Sequence, residues 1–167
     1  QGHRHPHIIA ALRAQADRVT FTSGDFYNDQ LALFLAKLAE LSGLEAACPV
    51  SSPAEAITAG THAACEWAHA VKGVPEGAAE VISATRHFDG EKGGSKVGAV
   101  KSVPFGDVEA LEAAITPNTA AFLVEPIQVC GGMAIPPADY LKGVRAICDH
   151  HNVLLFVDEN QTGLGRT

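Results

Sequence analysis

The sequence of 167 residues lacks the patterns that mark several large classes of protein. It contains no apolar run long enough to cross a bilayer, and its beginning does not resemble a signal peptide. Its basic residues are scattered and its formal net charge is −7, so it has no basic patch suited to a nucleic-acid backbone or an anionic membrane. We therefore expect a cytoplasmic protein that binds neither nucleic acid nor membrane.

Cysteine is scarce and widely spaced. The four cysteines form no C-x-x-C pair and are Cys48, Cys65, Cys130 and Cys148. This spacing is typical neither of a zinc site nor of a disulfide framework. The sequence therefore predicts reduced, buried thiols.

Three alternating histidines near the start, His3, His5 and His7, would share one face of an extended segment and could bind a metal. Pro6 and the helical spacing of apolar residues from Ile8 onward predict a helix here instead. We expect no metal site.

The sequence does contain an alternation of helical and strand patterns with short connections and no internal repeat. Because 47% of its residues are hydrophobic, the chain can bury one sizeable core. The predicted strands cover residues 81–84, 120–124 and 153–157, and the predicted helices cover residues 8–19, 31–41, 52–72, 107–115 and 136–151. We predict an α/β fold with a surface loop at 90–106.

Several apolar residues recur at helical spacing and are predicted to face the core. They are Ile8, Ile9, Leu12, Ala16 and Val19 in the first helix, Leu31, Phe34, Leu35, Leu38 and Leu41 in the second, and Leu141, Val144, Ile147 and Cys148 in the last. Ser52 and Glu55 have the spacing of a capping box, with Pro53 at the first helical position.

The most informative stretch is the apolar run 153–157 followed by Asp158 and Glu159. A continuous apolar run is typical of a strand buried on both faces of a parallel sheet, and ligands bind beyond the carboxyl ends of such strands. The sequence therefore places Asp158 at a candidate site. The alternative is that Asp158 caps the next turn and Glu159 is solvated.

A second apolar strand, 120–124, is followed by E-P-I-Q at 125–128. With D-E-x-Q-T-G-L-G-R-T at 158–167 and G-H-x-H-P at 2–6, the chain resembles the class III, pyridoxal-phosphate-dependent aminotransferases. Within that family it is most similar to the ornithine aminotransferases, on segments 22–23, 26–28, 71–73 and 143–145.

The resemblance implies a fragment of the large domain of a fold-type-I transferase, with a mostly parallel sheet flanked by helices. Residues 1–167 would be a partial domain, with residues 1–20 open to assignment to the smaller N-terminal segment. The family's cofactor lysine would lie beyond residue 167. The resemblance also implies homodimers that act on small-molecule amino acids and 2-oxo acids.

Site residues follow from the resemblance, position by position. Asp158 matches the carboxylate beside the ring nitrogen of pyridoxal 5'-phosphate, which keeps that nitrogen protonated. Gln161 matches the amide that binds the phenolic oxygen, although it could instead stabilise a turn. Ser52 and Ala54 match the phosphate-binding turn at a helix N-terminus.

Two aromatic residues have matches as well. Phe88 matches the ring that stacks on the cofactor, and Tyr27 matches a tyrosine of the substrate pocket. From the residues alone, Phe88 could be a core residue and Tyr27 a half-buried helix residue.

Four positions depart from the family pattern. Pro53 replaces a glycine of the phosphate turn and removes an N–H donor. Glu91 replaces an arginine that receives the substrate's α-carboxylate in the ornithine enzymes, and Cys130 replaces a glutamate that helps to select the substrate end. Asn160 replaces an apolar residue, and a buried amide there would need partners.

The resemblance implies transfer of ornithine's δ-amino group to 2-oxoglutarate, which gives glutamate semialdehyde and glutamate. Two alternatives remain open. One is a related transaminase that uses acetylornithine or 4-aminobutyrate, and the other is an inactive relative with a structural or binding role.

Overall fold

The computed structural model describes residues 2–85 and 99–167. The chain divides into two compact units, Gln1–Cys48 and Pro49–Thr167. Among the described residues, no helix is both long and apolar enough to span a membrane.

The first unit contains two helices, α1 (Pro6–Arg18) and α2 (Leu31–Ser42). Pro6 opens α1, as expected from its missing N–H and fixed φ. The side-chain oxygen of Asn28 accepts hydrogen bonds from the N–H groups of Gln30 and Leu31, at 2.8 and 3.1 Å, and so caps the start of α2. Both predicted helices are confirmed.

The predicted burial of these two helices is wrong. Neither helix contains a buried residue, and Leu12 and Phe34 are 63% and 56% exposed. Two helices alone enclose too little volume to cover the apolar face of each. The first unit therefore carries two exposed apolar stripes.

The second unit is built on a four-stranded sheet in the order β2-β1-β3-β4, in which all neighbouring strands are parallel. The strands are β1 (Glu80–Ala84), β2 (Ala99–Val103), β3 (Thr119–Val124) and β4 (Leu154–Val157). The helices are α3 (Pro53–Trp67), continued by a π-helical turn (Ala68–Lys72), α4 (Val108–Ala114) and α5 (Tyr140–His150). The predicted α/β fold with a parallel sheet and flanking helices is confirmed.

The sheet has a hydrophobic core on each face. Side chains of successive strand residues point to opposite faces, so β1, β3 and β4 each contribute to both cores. One core joins the sheet to α4 and α5 and contains Ile82, Leu111, Phe122, Val124, Val144 and Cys148. The other joins the sheet to α3 and contains Ala64, Ala68, Val81 and Ala121, with Leu154 and Phe156 packed against it.

Strand β2 falls within the segment predicted to be a loop, so that prediction is wrong for residues 99–103. Residues 90–98 of the predicted loop lie outside the described residues. Because β2 is the last strand on its side of the described sheet, it tolerates polar side chains. Lys101 of β2 pairs with Glu80 of β1 at 2.7 Å, while Val103 is buried.

Helix α5 begins at Tyr140, four residues later than predicted, because Pro136 and Pro137 precede it and the Tyr140 N–H closes a turn on the Pro137 carbonyl at 3.0 Å. Tyr140 is buried against Phe105, with ring centroids 5.4 Å apart. Leu141, predicted to face inward, is 36% exposed.

All four cysteines are free thiols. Cys148 is buried and Cys65 is partly buried, but Cys48 and Cys130 are exposed, so the prediction of burial is wrong for those two. Burial raises the pKa of the Cys148 thiol to about 11, which keeps it protonated and unreactive at neutral pH.

Candidate functional site

The carboxyl ends of the parallel strands meet at one edge of the sheet, and two acidic residues follow neighbouring strands there. Glu125 follows β3 and Asp158 follows β4. The Asp158 N–H donates to the Val124 carbonyl at 2.8 Å, which extends the β3–β4 pairing by one step. The structure thus places Asp158, partly buried, at the edge where the sequence predicted a site.

Strand alternation assigns Asp158 to one face of the sheet. Leu154 and Phe156 of β4 pack on the face covered by α3. Because side chains alternate with a period of two, Asp158 continues the same row. We expect its carboxylate on the side of the sheet that α3 covers.

Helix α3 runs antiparallel to the strands, so its first turn points toward this same edge. At its far end, the ammonium of Lys72 donates to the carbonyl of Thr119, the first residue of β3, at 2.7 Å. Further toward the helix start, Gly60 lies against the ring of Phe156 near the end of β4. The N-terminus of α3 therefore lies on the carboxyl side of the sheet.

The first turn of α3 is held by two reciprocal hydrogen bonds. The Ser52 hydroxyl oxygen accepts the N–H of Glu55 at 3.2 Å, and the Glu55 carboxylate accepts the N–H of Ser51 at 2.8 Å. The predicted capping box is thus present, shifted by one residue because Ser51 rather than Ser52 donates to the carboxylate. Pro53 occupies the first helical position and supplies no N–H.

This turn offers donors to an anion. The amides of a helix's first turn have no acceptor inside the helix, and the positive end of the helix dipole lies there. The Ala54 N–H is such a donor, and the Ser52 hydroxyl can donate its proton while its oxygen caps the helix. One amide fewer is available than in a helix without Pro53.

The turn after β4 is closed by its own acidic residues. One Asp158 carboxylate oxygen accepts the N–H of Asn160 at 2.9 Å, so Asp158 does cap the next turn, as its alternative interpretation held. Glu159 is not simply solvated, because its carboxylate accepts the Thr162 hydroxyl at 2.8 Å and its carbonyl accepts the Gly163 N–H at 2.8 Å. Gln161 is exposed in this turn.

Gly163 is required by the closeness of this turn. A Cβ atom at residue 163 would lie 2.7 Å from the Glu159 carbonyl oxygen, which is too short for any real contact. The replacement of an apolar residue by Asn160 suggested a buried amide, but Asn160 is exposed.

Three other residues singled out from the sequence cannot be assigned to this edge. Phe88 and Glu91 lie outside the described residues. Tyr27 is fully exposed in the first unit and precedes α2, so the interpretation as a half-buried helix residue is wrong. Within residues 2–85 and 99–167, no three histidine, cysteine, aspartate or glutamate side chains are grouped to hold a metal ion.

The loop after β3 contains two buried polar residues that sequence reasoning did not assign. Glu125 is 4% exposed and Gln128 is fully buried. The available signal was the run E-P-I-Q directly after a buried strand, since polar residues in that position lie at the carboxyl edge of the sheet.

Comparison with known proteins connects this arrangement to a family. The family described as Aminotransferase class-III matches residues 1–97 and 98–167. The ornithine aminotransferase of Bacillus subtilis (strain 168) is 48% identical over 182 aligned residues, which cover 100% of this chain and 45% of that protein. The ornithine aminotransferase of Geobacillus sp. (strain WCH70) is 46% identical, with 100% and 46% coverage.

Solved structures of aminotransferases also superpose on this chain. The Plasmodium falciparum ornithine δ-aminotransferase superposes with a TM-score of 0.91 at 37% identity, covering 100% of this chain and 42% of that one. The acetylornithine aminotransferase of Elizabethkingia anophelis superposes with a TM-score of 0.88 at 37% identity, covering 99% and 42%. The chain spans less than half the length of these relatives.

Proposed function

The chain belongs to the class III aminotransferase family, and from this premise we propose that the full-length protein is a pyridoxal-phosphate-dependent aminotransferase. We propose ornithine as the amino donor and 2-oxoglutarate as the acceptor, with glutamate semialdehyde and glutamate as products. Residues 1–167 then form part of the large domain, with residues 1–20 open to assignment to the smaller N-terminal segment, and the working protein is a homodimer.

The residues at the carboxyl edge fit this cofactor. Pyridoxal phosphate carries a protonated ring nitrogen and a phosphate group. When bound, it withdraws electrons from the substrate carbon that carries the amino group. The edge offers a carboxylate after β4 and a helix N-terminus on the same face of the sheet. The placement of Asp158 and the first turn of α3 at the same edge of the sheet is the observation that carries the proposal.

Each residue has a distinct role in this proposal. Asp158 holds the proton on the ring nitrogen by opposite charge, in a partly buried position where such an interaction is weakly screened. Ser52 and the Ala54 amide bind the phosphate at the positive end of α3. Gln161 donates to the phenolic oxygen, Phe88 stacks on the ring, and Tyr27 lines the substrate pocket.

The test of the proposal is Asp158→Asn in the full-length protein. Because asparagine carries no charge to hold the ring proton, we expect turnover of ornithine to fall roughly 100-fold or more. The matched control is Asp139→Asn, an exposed carboxylate at the start of α5, which should leave turnover unchanged. Full activity of the Asp158 variant would remove Asp158 from the site.

The amino donor is tested by comparing kcat/KM for ornithine, acetylornithine and 4-aminobutyrate. The acetylornithine enzyme deserves this comparison because its structure matches the chain at the same 37% identity as the Plasmodium falciparum ornithine enzyme. We expect ornithine to give the highest value. If the protein binds the cofactor but turns over none of the three, the interpretation as an inactive relative is favoured. The first residues to examine would then be Pro53, Glu91 and Cys130.

A further inference from the structure

Gln128 is a buried amide with no hydrogen-bond partner in the described part of the chain. Its side chain is fully enclosed, and neither Nε2 nor Oε1 is paired there. Most buried polar atoms in proteins are hydrogen-bonded, because losing water without a replacement is costly. An unpaired amide therefore indicates a group that arrives from elsewhere.

The backbone around Gln128 uses its hydrogen-bonding groups on itself. Gln128 and Ala134 exchange two N–H to carbonyl bonds of 3.0 Å, and the Val129 carbonyl accepts the N–H groups of Gly132 and Met133 at 3.2 Å. These bonds close the turn and fix the start of the Gln128 side chain. The amide can gain a partner through a shift of this turn that brings it against another group.

The position of Gln128 indicates which group that is. It lies four residues beyond β3, at the edge where Asp158 follows the adjacent strand β4. An amide can donate through Nε2 and accept through Oε1 without adding charge beside Asp158. A ligand that is bound against Asp158 and carries polar ring substituents would offer hydrogen-bond partners to Nε2 and Oε1.

We propose that Gln128 binds pyridoxal phosphate as a second amide besides Gln161, and that the loop 125–134 shifts when the cofactor binds. This inference rests on the proposed function. The cofactor restores hydrogen bonds that the amide lacks in the apoprotein. An apolar side chain of equal length should therefore be tolerated better than glutamine without the cofactor, and worse with it.

The experiment compares wild type, Gln128→Met and Gln161→Met in the full-length protein. For Gln128→Met we expect the Tm of the apoprotein to rise by about 2 °C or more, and the Kd for pyridoxal phosphate, from absorbance titration, to rise about tenfold. For Gln161→Met, which removes an exposed amide, we expect a weaker Kd with an unchanged apoprotein Tm. In wild type, adding the cofactor should change the hydrogen exchange of amides 125–134.

Each contrary result has its own meaning. A lower apoprotein Tm for Gln128→Met would show that water or another part of the protein already pairs with the amide, and would overturn the inference. An unchanged Kd, or unchanged exchange in loop 125–134 of wild type, would overturn it as well. The exchange measurement needs no variant, so it decides the matter even if Gln128→Met fails to fold. Wild type that binds no pyridoxal phosphate would overturn the proposed function together with this inference.

Discussion

Pro53 has opposite effects on the helix that it begins and on an anion bound there. Its fixed φ favours the first helical position, but its missing N–H removes one charge-assisted hydrogen bond, worth roughly 1.5–3 kcal/mol. For the binding of a phosphate, the loss of the N–H donor is the larger of the two effects. We expect Pro53→Gly in the full-length protein to tighten pyridoxal phosphate about tenfold or more, with an equal or lower Tm of the apoprotein.

Titration of cofactor absorbance measures this change. Pro6→Gly is the matched control, because Pro6 opens α1 at the equivalent helical position and has no part in the proposed phosphate site. It should lower stability without changing cofactor affinity. An unchanged affinity for Pro53→Gly would mean that the phosphate does not lie at the start of α3.

Glu80 ties the amino end of β1 to two neighbours, and its charge makes part of the stability depend on pH. The Lys101 ammonium and then the Thr116 hydroxyl, each 2.7 Å from the same carboxylate oxygen, hold the pKa of Glu80 below its ordinary value. A lowered pKa contributes stability that is fully present above the unfolded pKa, about 4.3, and is lost as the pH falls through the lower folded pKa.

We expect Glu80→Gln to lower the free energy of unfolding by about 1 kcal/mol at pH 7, after allowance for solvent screening. The difference from wild type should shrink as the pH falls below the unfolded pKa and should disappear below the lower folded pKa, where both proteins carry a neutral side chain. Urea unfolding of the full-length protein at several pH values measures this difference in the free energy of unfolding. Glu76→Gln, at an exposed position, is the control. A difference that persists unchanged at acid pH would assign the effect to packing.

At the scale of elements, the contact between α3 and β4 sets where the proposed phosphate turn lies. A Cβ atom on Gly60 would come within 3.0 Å of Cε2 of the Phe156 ring. Alanine has the better helix propensity by about 1 kcal/mol, but crowding against a packed ring costs about 1–3 kcal/mol. We expect Gly60→Ala to lower stability and, by displacing α3, to weaken cofactor binding.

Phe156→Leu in the same protein provides the rescue. Leucine lacks the ring atom that crowds residue 60, so the double variant should recover part of the cofactor affinity that Gly60→Ala loses. Measured stability and Kd for both single variants and the double variant complete the cycle. Additive losses would show that the two residues do not constrain each other.

The elements that sequence reasoning found are those with strong periodic patterns. Strands β1 and β3 are apolar because both faces are buried, β4 is an apolar run that is only partly buried, and α3 has a clear N-terminal cap. Strand β2 was missed because a strand at the side of a sheet can carry lysine and serine. The start of α5 was misplaced because two prolines fit the first turn of a helix as well as the extended chain before it.

The positions of the candidate-site residues could be predicted from the sequence to about the same extent as the helices and strands. Residue type and position after an apolar strand predicted that Asp158 lies at the carboxyl edge of the sheet, which is confirmed, while its role at a cofactor stays a prediction. The shifted cap between Ser51 and Glu55 and the enclosure of Gln128 could not be predicted, because both depend on side-chain packing between segments. The burial of α1 and α2 was predicted wrongly, because periodicity identifies an apolar face but not what covers it.

At the scale of the whole molecule, β4 pairs with β3 alone among the described strands, so its other side presents unpaired backbone groups. Val157, at the end of β4, is exposed there. We expect residues 1–167, when produced alone, to associate through this side. Val157→Lys should reduce the associated fraction in size-exclusion chromatography, whereas Val71→Lys, an exposed residue outside the sheet, should not. Equal elution of both variants would assign association to another surface.

That open side of β4 also affects how such a protein is made in a cell. Ribosomal synthesis proceeds from the amino end, so these four strands emerge in order and there is an interval in which β4 is paired with β3 alone. During that interval a short apolar strand with free amides is a template for pairing with a neighbouring nascent chain. Yield in a host should therefore improve with more chaperone, even though chaperone does not alter the finished fold.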